Sequence, residues 1–131
     1  MYYLKEMLIK VIKFQKAFDQ PVNEKPTMFS QEDAELRHAL MSEENDEFLE
    51  AVAKNDLTEV LDSLGDQLYV LLGTINEFGG QHIIEDAFVE IHRSNMSKLG
   101  EDGKPIKASN GKVLKGSNYF KPNLKQFIDE N

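Results

Sequence analysis

The stretch VLDSLGDQLYVLL, residues 60–72, decides the fold of this 131-residue chain. A helix drawn through it is apolar on most sides, which is typical of a helix with neighbours on several faces. Asp56 followed by Glu59 is an N-capping pattern that marks its start, and the pair Gly79-Gly80 marks its end. Such a helix cannot bury its surface alone, so the stretch predicts a helical bundle around it.

Three further segments show helical periodicity. Residues 3–18 carry one apolar stripe, and Ser30 with Asp33 starts a second helix that runs to about residue 54. A fourth helix is predicted over about 82–96. Its apolar stripe continues into polar residues that would point toward the bundle: Ile84, Phe88 and Ile91, then Asn95 and Lys98. The sequence therefore predicts an all-α protein, a four-to-five-helix bundle.

Helical periodicity ends near residue 99. The remaining segment, 99–131, is basic and contains glycines and prolines. It permits a small hairpin at Asn110-Gly111, and a loop-rich extension wrapped on the helices is equally consistent. We predict a single domain over residues 1–131, with a helical core of about 3–98 and a C-terminal extension of 99–131.

Composition excludes several classes of protein. Apolar residues make up 40% of the chain and charged residues 29%, which is typical of a globular protein. No apolar run is long enough for a bilayer span, and the start MYYLKEMLIKVIKF has no small-residue cleavage site, so we expect a cytoplasmic protein without a membrane partner. The absence of cysteine excludes disulfides and thiolate metal sites.

Charge is distributed unevenly along the chain. The formal net charge is −8, which argues against a nucleic-acid partner because phosphate backbones need a basic surface. Residues 1–91 hold 7 basic and 19 acidic side chains, whereas residues 92–131 hold 8 basic and 4 acidic ones. The two parts are either solvated surfaces or a cation site and a phosphate site.

Acidic residues continue the apolar faces of two helices. On the second helix, the face of Leu36 and Leu40 continues through Glu43, Glu47 and Glu50, with Glu44 alongside. On the third helix, Glu59, Asp62 and Asp66 share a face that continues through Tyr69, Gly73 and Asn76. Several unpaired carboxylates at packed positions would cost several kcal/mol each. A single such pair usually lies on a solvated face, but two aligned sets predict a shared Mg²⁺.

The basic residues near the end of the fourth helix suit a phosphate. Lys98 would neutralise phosphate oxygens and Asn95 would donate a hydrogen bond. Further candidates lie in the extension: Lys104, Lys112 and Lys115. For any one of these three, a solubilising loop lysine is the simpler interpretation.

Two acidic segments resemble the motifs of a known family. Glu43-Glu44-Asn45-Asp46-Glu47 resembles the EExxE motif of the MazG-like and phosphoribosyl-ATP-pyrophosphohydrolase-like proteins, all-α nucleoside triphosphate pyrophosphohydrolases. The segment 64–69, LGDQLY, resembles the end of their second motif, ExxD. Residues 92–100 and 111–116 resemble a MazG-like branch with a C-terminal extension. The resemblance covers about residues 10–122.

The resemblance implies Mg²⁺-dependent hydrolysis, with Mn²⁺ as an alternative ion. A nucleoside triphosphate would be cleaved between its α and β phosphates to a monophosphate and pyrophosphate, in cleansing of the nucleotide pool. Glu43, Glu44 and Glu47 would form the first ligand set, and Glu43 or Glu44 would accept a proton from the attacking water. The resemblance also implies a homodimer or a dimer of dimers, and Val70, Leu71, Leu72 and Ile75 are expected to leave apolar surface exposed on a monomer.

The second ligand set departs from the family pattern. Ser63 stands where an acid is expected three residues before Asp66. Either Asp62 partners Asp66, or the literal match Glu59 with Asp62 is the pair. We prefer the first because Glu59 already has a capping role.

Two other functions remain open. One is hydrolysis of phosphoribosyl-ATP itself, for which the long basic extension would be unnecessary. The other is a non-catalytic helical module whose acids bind Mg²⁺ or Ca²⁺ structurally.

Overall fold

A computed structural model describes residues 3–129, which fall into two compact units with the boundary between His82 and Ile83. The first unit contains α1 (Leu4–Ala17), α2 (Gln31–Ala53) and α3 (Leu57–Phe78). The second contains α4 (Ile84–Met96) and the short α5 (Lys125–Asp129). The helices confirm the all-α prediction. That residues 1–131 form a single domain stays a prediction.

Local signals set the ends of α2 and α3 as predicted. The Ser30 hydroxyl accepts a hydrogen bond from the Asp33 N–H at 3.1 Å. The Asp56 carboxylate accepts one from the Glu59 N–H, also at 3.1 Å. Gly79 follows α3 with φ at +84°, the left-handed conformation that favours glycine at this position.

α3 is the central helix of the first unit and packs against both α1 and α2. Both neighbours run antiparallel to it. Asn76 near the end of α3 contacts Leu8 near the start of α1, whereas Tyr69 contacts Phe14. Two faces of α3 therefore have a neighbouring helix within the first unit.

The interior of the first unit is partly polar. Gln15 and Asn76 are fully buried and bond to each other, Asn76 Nδ2 donating to Gln15 Oε1 at 3.0 Å. Gln15 Nε2 donates to the Gly73 carbonyl at 2.9 Å, and Asn76 Nδ2 donates to the Leu8 carbonyl at 3.2 Å. These bonds join α1 to α3 and offset part of the cost of burying the two amides, since Asn76 Oδ1 has no hydrogen-bond partner among residues 3–129. The buried apolar side chains among the described residues are Leu8, Val11, Ala51 and Leu72.

The connection between α1 and α2 is held on the end of α3. The Asn23 N–H donates to the Asn76 carbonyl at 3.1 Å, and the Thr27 N–H donates to the Phe78 carbonyl at 2.8 Å. A Cβ on Gly79 would overlap the backbone of Lys25, so this close approach needs glycine.

The exposed apolar surface of α3 differs from the prediction. Of the four residues named in the sequence analysis, Leu71 is exposed, Leu72 is buried, and Val70 and Ile75 are half-buried. A row of five leucines is 43% to 84% exposed: Leu57, Leu61, Leu64, Leu68 and Leu71. We call this row the leucine seam. Its members alternate in steps of four and three residues, the heptad spacing of helices that pair.

The predicted inward face of α4 is wrong. Phe88 is 66% exposed and Ile91 is 36% exposed, while Glu90 and Ser94 are buried. The extension covers this polar side. The Asn123 N–H donates to Glu90 Oε2 at 2.6 Å, and Ser94 Oγ donates to the Phe120 carbonyl at 2.8 Å. The helical periodicity correctly places Phe88 and Ile91 on one side of α4. It does not predict that the opposite side, with Glu90 and Ser94, is the side covered by the extension.

The extension combines both structures that its sequence permits. Lys107 and Val113 form an antiparallel bridge, with Gly111 at the turn in the left-handed conformation. The later residues wrap onto α4. Within residues 3–129, no helix has the length and hydropathy needed to cross a bilayer.

Candidate functional site

Three carboxylates converge between α2 and α3. One oxygen from each of Glu44, Glu47 and Asp66 lies within 4.8 Å of the other two. Glu44 and Glu47 are neighbours one turn apart on α2, and the antiparallel α3 places Asp66 opposite them. Gln67 Nε2 donates to the Glu44 carbonyl at 3.3 Å and fastens the two helices here. We call these three residues the carboxylate cluster.

The carboxylate cluster brings three acidic groups together and includes a buried oxygen. Glu44 Oε2 is buried and has no hydrogen-bond partner among residues 3–129. Burial, followed by the charges of Glu47 and Asp66, raises the pKa of the Glu44 carboxyl from 4.5 to about 7. An unpaired buried oxygen beside two further acids fits a hard divalent cation, which prefers oxygen ligands. The residues present therefore fit Mg²⁺ or Mn²⁺.

The other predicted metal ligands lie outside the carboxylate cluster. Glu43 is exposed. Asp62 and Glu59 line an adjoining cavity of about 270 Å³. The remaining lining residues are Glu47, Glu50, Lys54 and Ser63. The roles of Glu43, Asp62 and Glu59 as ligands stay predictions, as does the preference for Asp62 over Glu59.

The predicted phosphate-binding residues lie in the second unit. Asn95 is exposed and Lys98 is half-buried, and the Lys98 carbonyl accepts a hydrogen bond from the Gly116 N–H at 2.9 Å. Lys112 is exposed, and Lys115 Nζ lies 4.8 Å from the centre of the Tyr119 ring. Their contact with a substrate stays a prediction.

A second cavity in the first unit was missed by the sequence analysis. It has a volume of about 210 Å³. Tyr69 and Gly73 line this cavity. Helical spacing puts both residues on the face of α3 that carries Asp66, and this shared face was the signal in the sequence that could have located the cavity. Gln15 and Arg37 line it from α1 and α2. Helical spacing places Gln15 on the apolar stripe of α1 with Leu8 and Val11, which predicts its burial, whereas nothing local in the sequence indicated that Arg37 would be buried.

Arg37 is buried in an unusual setting. Its Nε donates to Thr74 Oγ1 at 3.0 Å, and its Nη2 donates to the Val70 carbonyl at 2.8 Å. Glu77 is also buried, with an oxygen 4.0 Å from Nε. Burial lowers the pKa of Arg37, and burial together with the charge of Asp33 raises the pKa of Glu77.

The fold and the carboxylate cluster together define an all-α protein with a candidate cation site between antiparallel helices. A family model described as phosphoribosyl-ATP pyrophosphohydrolase matches residues 11–95, which is more than half of the chain. The chain belongs to this family and is a pyrophosphohydrolase. The matched range contains Glu44, Glu47 and Asp66. No individual curated protein matches the chain.

Proposed function

We propose that this protein hydrolyses nucleoside triphosphates and their deoxy forms between the α and β phosphates. The products would be a nucleoside monophosphate and pyrophosphate, and the role would be cleansing of the cytoplasmic nucleotide pool. The carboxylate cluster carries the proposal. Its three acids lie within the range matched by the pyrophosphohydrolase family, and they fit the divalent cation that such chemistry uses.

Glu44, Glu47 and Asp66 would hold the cation, with Glu43 and Asp62 as further ligands. A bound Mg²⁺ or Mn²⁺ supplies neutralisation of phosphate charge and polarisation of the phosphoryl group. Glu44 would take a proton from the attacking water. Glu43 is the alternative proton acceptor. Asn95, Lys98, Lys112 and Lys115 would contact the phosphates.

A pyrophosphate-release assay tests the proposal. The four nucleoside triphosphates and four deoxy forms are each incubated with the protein, with Mg²⁺ and with a chelator. We expect release from at least one of them, dependent on the metal, with the monophosphate as the other product. Orthophosphate release or metal-independent turnover would contradict it.

The family description favours a second candidate, hydrolysis of phosphoribosyl-ATP. The same assay with phosphoribosyl-ATP separates the two. A much higher kcat/KM on phosphoribosyl-ATP than on any nucleoside triphosphate would favour the second candidate. A non-catalytic module would bind Mg²⁺ or Ca²⁺, with a change in melting temperature, and would hydrolyse none of these substrates.

We also propose that the protein is a homodimer or a dimer of dimers. The leucine seam supports this, because its heptad spacing suits pairing with the same seam of a second copy. An apolar row of this length is costly to leave in water.

A further inference from the structure

The extension is attached to α4 through side chains on the covered polar side of the helix. The Asn123 N–H donates to Glu90 Oε2 at 2.6 Å, and Ser94 Oγ donates to the Phe120 carbonyl at 2.8 Å. Just after the helix, Ser97 Oγ accepts a hydrogen bond from the Phe120 N–H at 3.2 Å. The three side chains share one side of the chain, because they are spaced by four and then three residues. They fix the returning segment against the helix.

Glu90 differs from an ordinary surface carboxylate because both of its oxygens are bonded. Arg93 donates to them through Nε at 2.9 Å and Nη2 at 3.3 Å, and Oε2 also takes the Asn123 N–H. The hydrogen bonds from Arg93 and from the Asn123 N–H hold the pKa of the Glu90 carboxyl below its usual value of 4.5. Glu90 is only 7% exposed, and the Arg93 guanidinium lies 4.4 Å from the centre of the Phe120 ring. One ionised carboxylate therefore joins the helix, its arginine and the extension.

Lys115 of the extension is held from two sides. The next residue, Gly116, donates its N–H to the Lys98 carbonyl at 2.9 Å, which brings Lys115 close to Lys98. The Lys115 Nζ lies 4.8 Å from the centre of the Tyr119 ring. Tyr119 directly precedes Phe120, so the attachment of Phe120 to α4 also fixes the ring that Lys115 contacts.

We propose that Glu90 is a positioning residue for the phosphates of the substrate. Residues 103–128 hold six lysines and no acidic residue, so like charges repel one another along an extension that is not attached. By fixing the extension on α4, Glu90 keeps Lys115 close to Lys98. Lysine is a flexible point charge, and a fixed backbone lowers the entropy that is lost when it binds phosphate. The inference rests on the proposed function, because that function assigns the phosphates to these lysines.

Removal of one hydrogen-bond donor tests the inference without a change at Glu90. Asn123→Pro lacks the N–H that Glu90 accepts, whereas Asn123→Ala keeps it and is the matched control, since Asn123 is exposed. We expect the KM of Asn123→Pro for a good nucleoside triphosphate to rise by roughly 10-fold, near the lower end for one hydrogen bond to a charged group. The value of kcat should stay within about 2-fold, because lysine meets phosphate charge in the bound substrate and in the transition state alike.

Substitution of Glu90 gives a second test. Glu90→Ala should raise KM as Asn123→Pro does, and Glu90→Gln should raise it less, because its side-chain oxygen still accepts the Asn123 N–H. A double-mutant cycle separates positioning from a purely structural role. Added to Lys115→Ala, Asn123→Pro should change KM by less than about 2-fold, since the lysine that it releases is already absent.

Three outcomes would overturn the inference. A wild-type KM in Asn123→Pro would mean that the attachment does not act on the substrate. The same rise in Asn123→Ala as in Asn123→Pro would mean that the hydrogen bond to Glu90 is not its cause. A full further rise when Asn123→Pro is added to Lys115→Ala would assign the effect to the fold of the second unit rather than to Lys115.

A binding experiment separates this inference from the proposed function. Inorganic triphosphate with Mg²⁺ is titrated by calorimetry into the wild type, Asn123→Ala and Asn123→Pro. If no nucleoside triphosphate is hydrolysed, the proposed function fails, and this titration decides on Glu90. A dissociation constant roughly 10-fold higher in Asn123→Pro than in the other two proteins supports the inference. Equal constants in all three proteins, or no binding by the wild type, overturn it.

Discussion

Asp66 lies on α3 opposite Glu44 and Glu47 of α2. Its substitution should lower activity without lowering the stability of the metal-free protein. We expect Asp66→Asn to lower kcat/KM by more than about 100-fold, since even residues that only support metal ligands cost 10- to 100-fold. The metal-free variant should be no less stable than the wild type, because one of three repelling charges is removed. Mg²⁺ should raise the melting temperature of the wild type but not of the variant.

Steady-state kinetics and thermal unfolding with and without Mg²⁺ check this prediction. Asp46→Asn is the matched control, since Asp46 is an exposed acid of α2 outside the carboxylate cluster. Wild-type activity in Asp66→Asn would remove Asp66 from the site.

Glu44 should make the metal-free protein less stable as the pH rises. Its pKa is raised from 4.5 to about 7 in the folded state, so between these values the folded protein holds more protons than the unfolded one. The free energy of unfolding therefore falls as pH increases through this window. Burial also raises the pKa of Glu77, with the same sign, so the effect of Glu44 is the difference between the wild type and Glu44→Gln.

Urea unfolding in a chelator, near pH 5 and near pH 8, measures the difference. Glu44→Gln should show a weaker fall in stability than the wild type, and Asp46→Asn should show the wild-type fall. The same pH dependence in all three proteins would contradict the prediction.

Two glycines of α3 should respond oppositely to the same substitution. A Cβ on Gly73 would lie 2.7 Å from Arg37 Nη2, whereas a Cβ on Gly65 would meet nothing within 4 Å. We expect Gly73→Ala to destabilise the protein by about 1–3 kcal/mol, because the buried guanidinium must move from the Val70 carbonyl. Gly65→Ala should stabilise it by about 0.5–1 kcal/mol, as for any helix interior.

Chemical denaturation of the two variants and the wild type measures these changes in the free energy of unfolding. If both substitutions stabilise the protein, the Arg37 guanidinium can move away from the Val70 carbonyl at little cost, which would contradict the prediction.

The ends of the helices could be predicted from the sequence alone, and the carboxylate cluster could be predicted in part. The caps at Ser30, Asp56 and Gly79 were predictable because each depends on contacts within a few residues. The carboxylate cluster was predictable in part, since helical spacing places Glu44 near Glu47 but does not choose between the pair Asp62 and Asp66 and the pair Glu59 and Asp62. That choice depends on the rotation of α3 against α2, which no local pattern specifies.

The hydrogen-bond partners of the buried polar residues were the part that could not be predicted. Gln15 and Asn76 bond to each other from positions 61 residues apart, and Arg37 bonds to Thr74 across two helices. Glutamine, asparagine and arginine are residue types that mostly lie on protein surfaces, so their identity alone does not predict these contacts. Glu90 is a further case, because its partner on the extension, Asn123, follows it by 33 residues.

For the whole molecule, the leucine seam predicts the state of association. We expect the wild type to sediment as a dimer or larger assembly and Leu61→Glu as a monomer, because a charge in the middle of the seam would be buried without a partner. Met28→Glu is the control, since Met28 is 87% exposed and lies outside the seam. A wild type that remains monomeric at micromolar concentration would contradict both the dimer and the role of the seam.

The anchored connection between α1 and α2 has a consequence for such an assembly. A helix joined through residues 18–30 could in principle be exchanged between two copies, as in domain swapping. Here exchange would have to release Asn23 and Thr27 from the end of α3 and unpair the buried amide of Gln15. We therefore expect α1 to stay on its own chain if two copies assemble. Phe14 and Tyr69 of one cavity would then come from the same polypeptide, so that a change at Tyr69 in one copy of a mixed dimer would leave the cavity of the other copy intact.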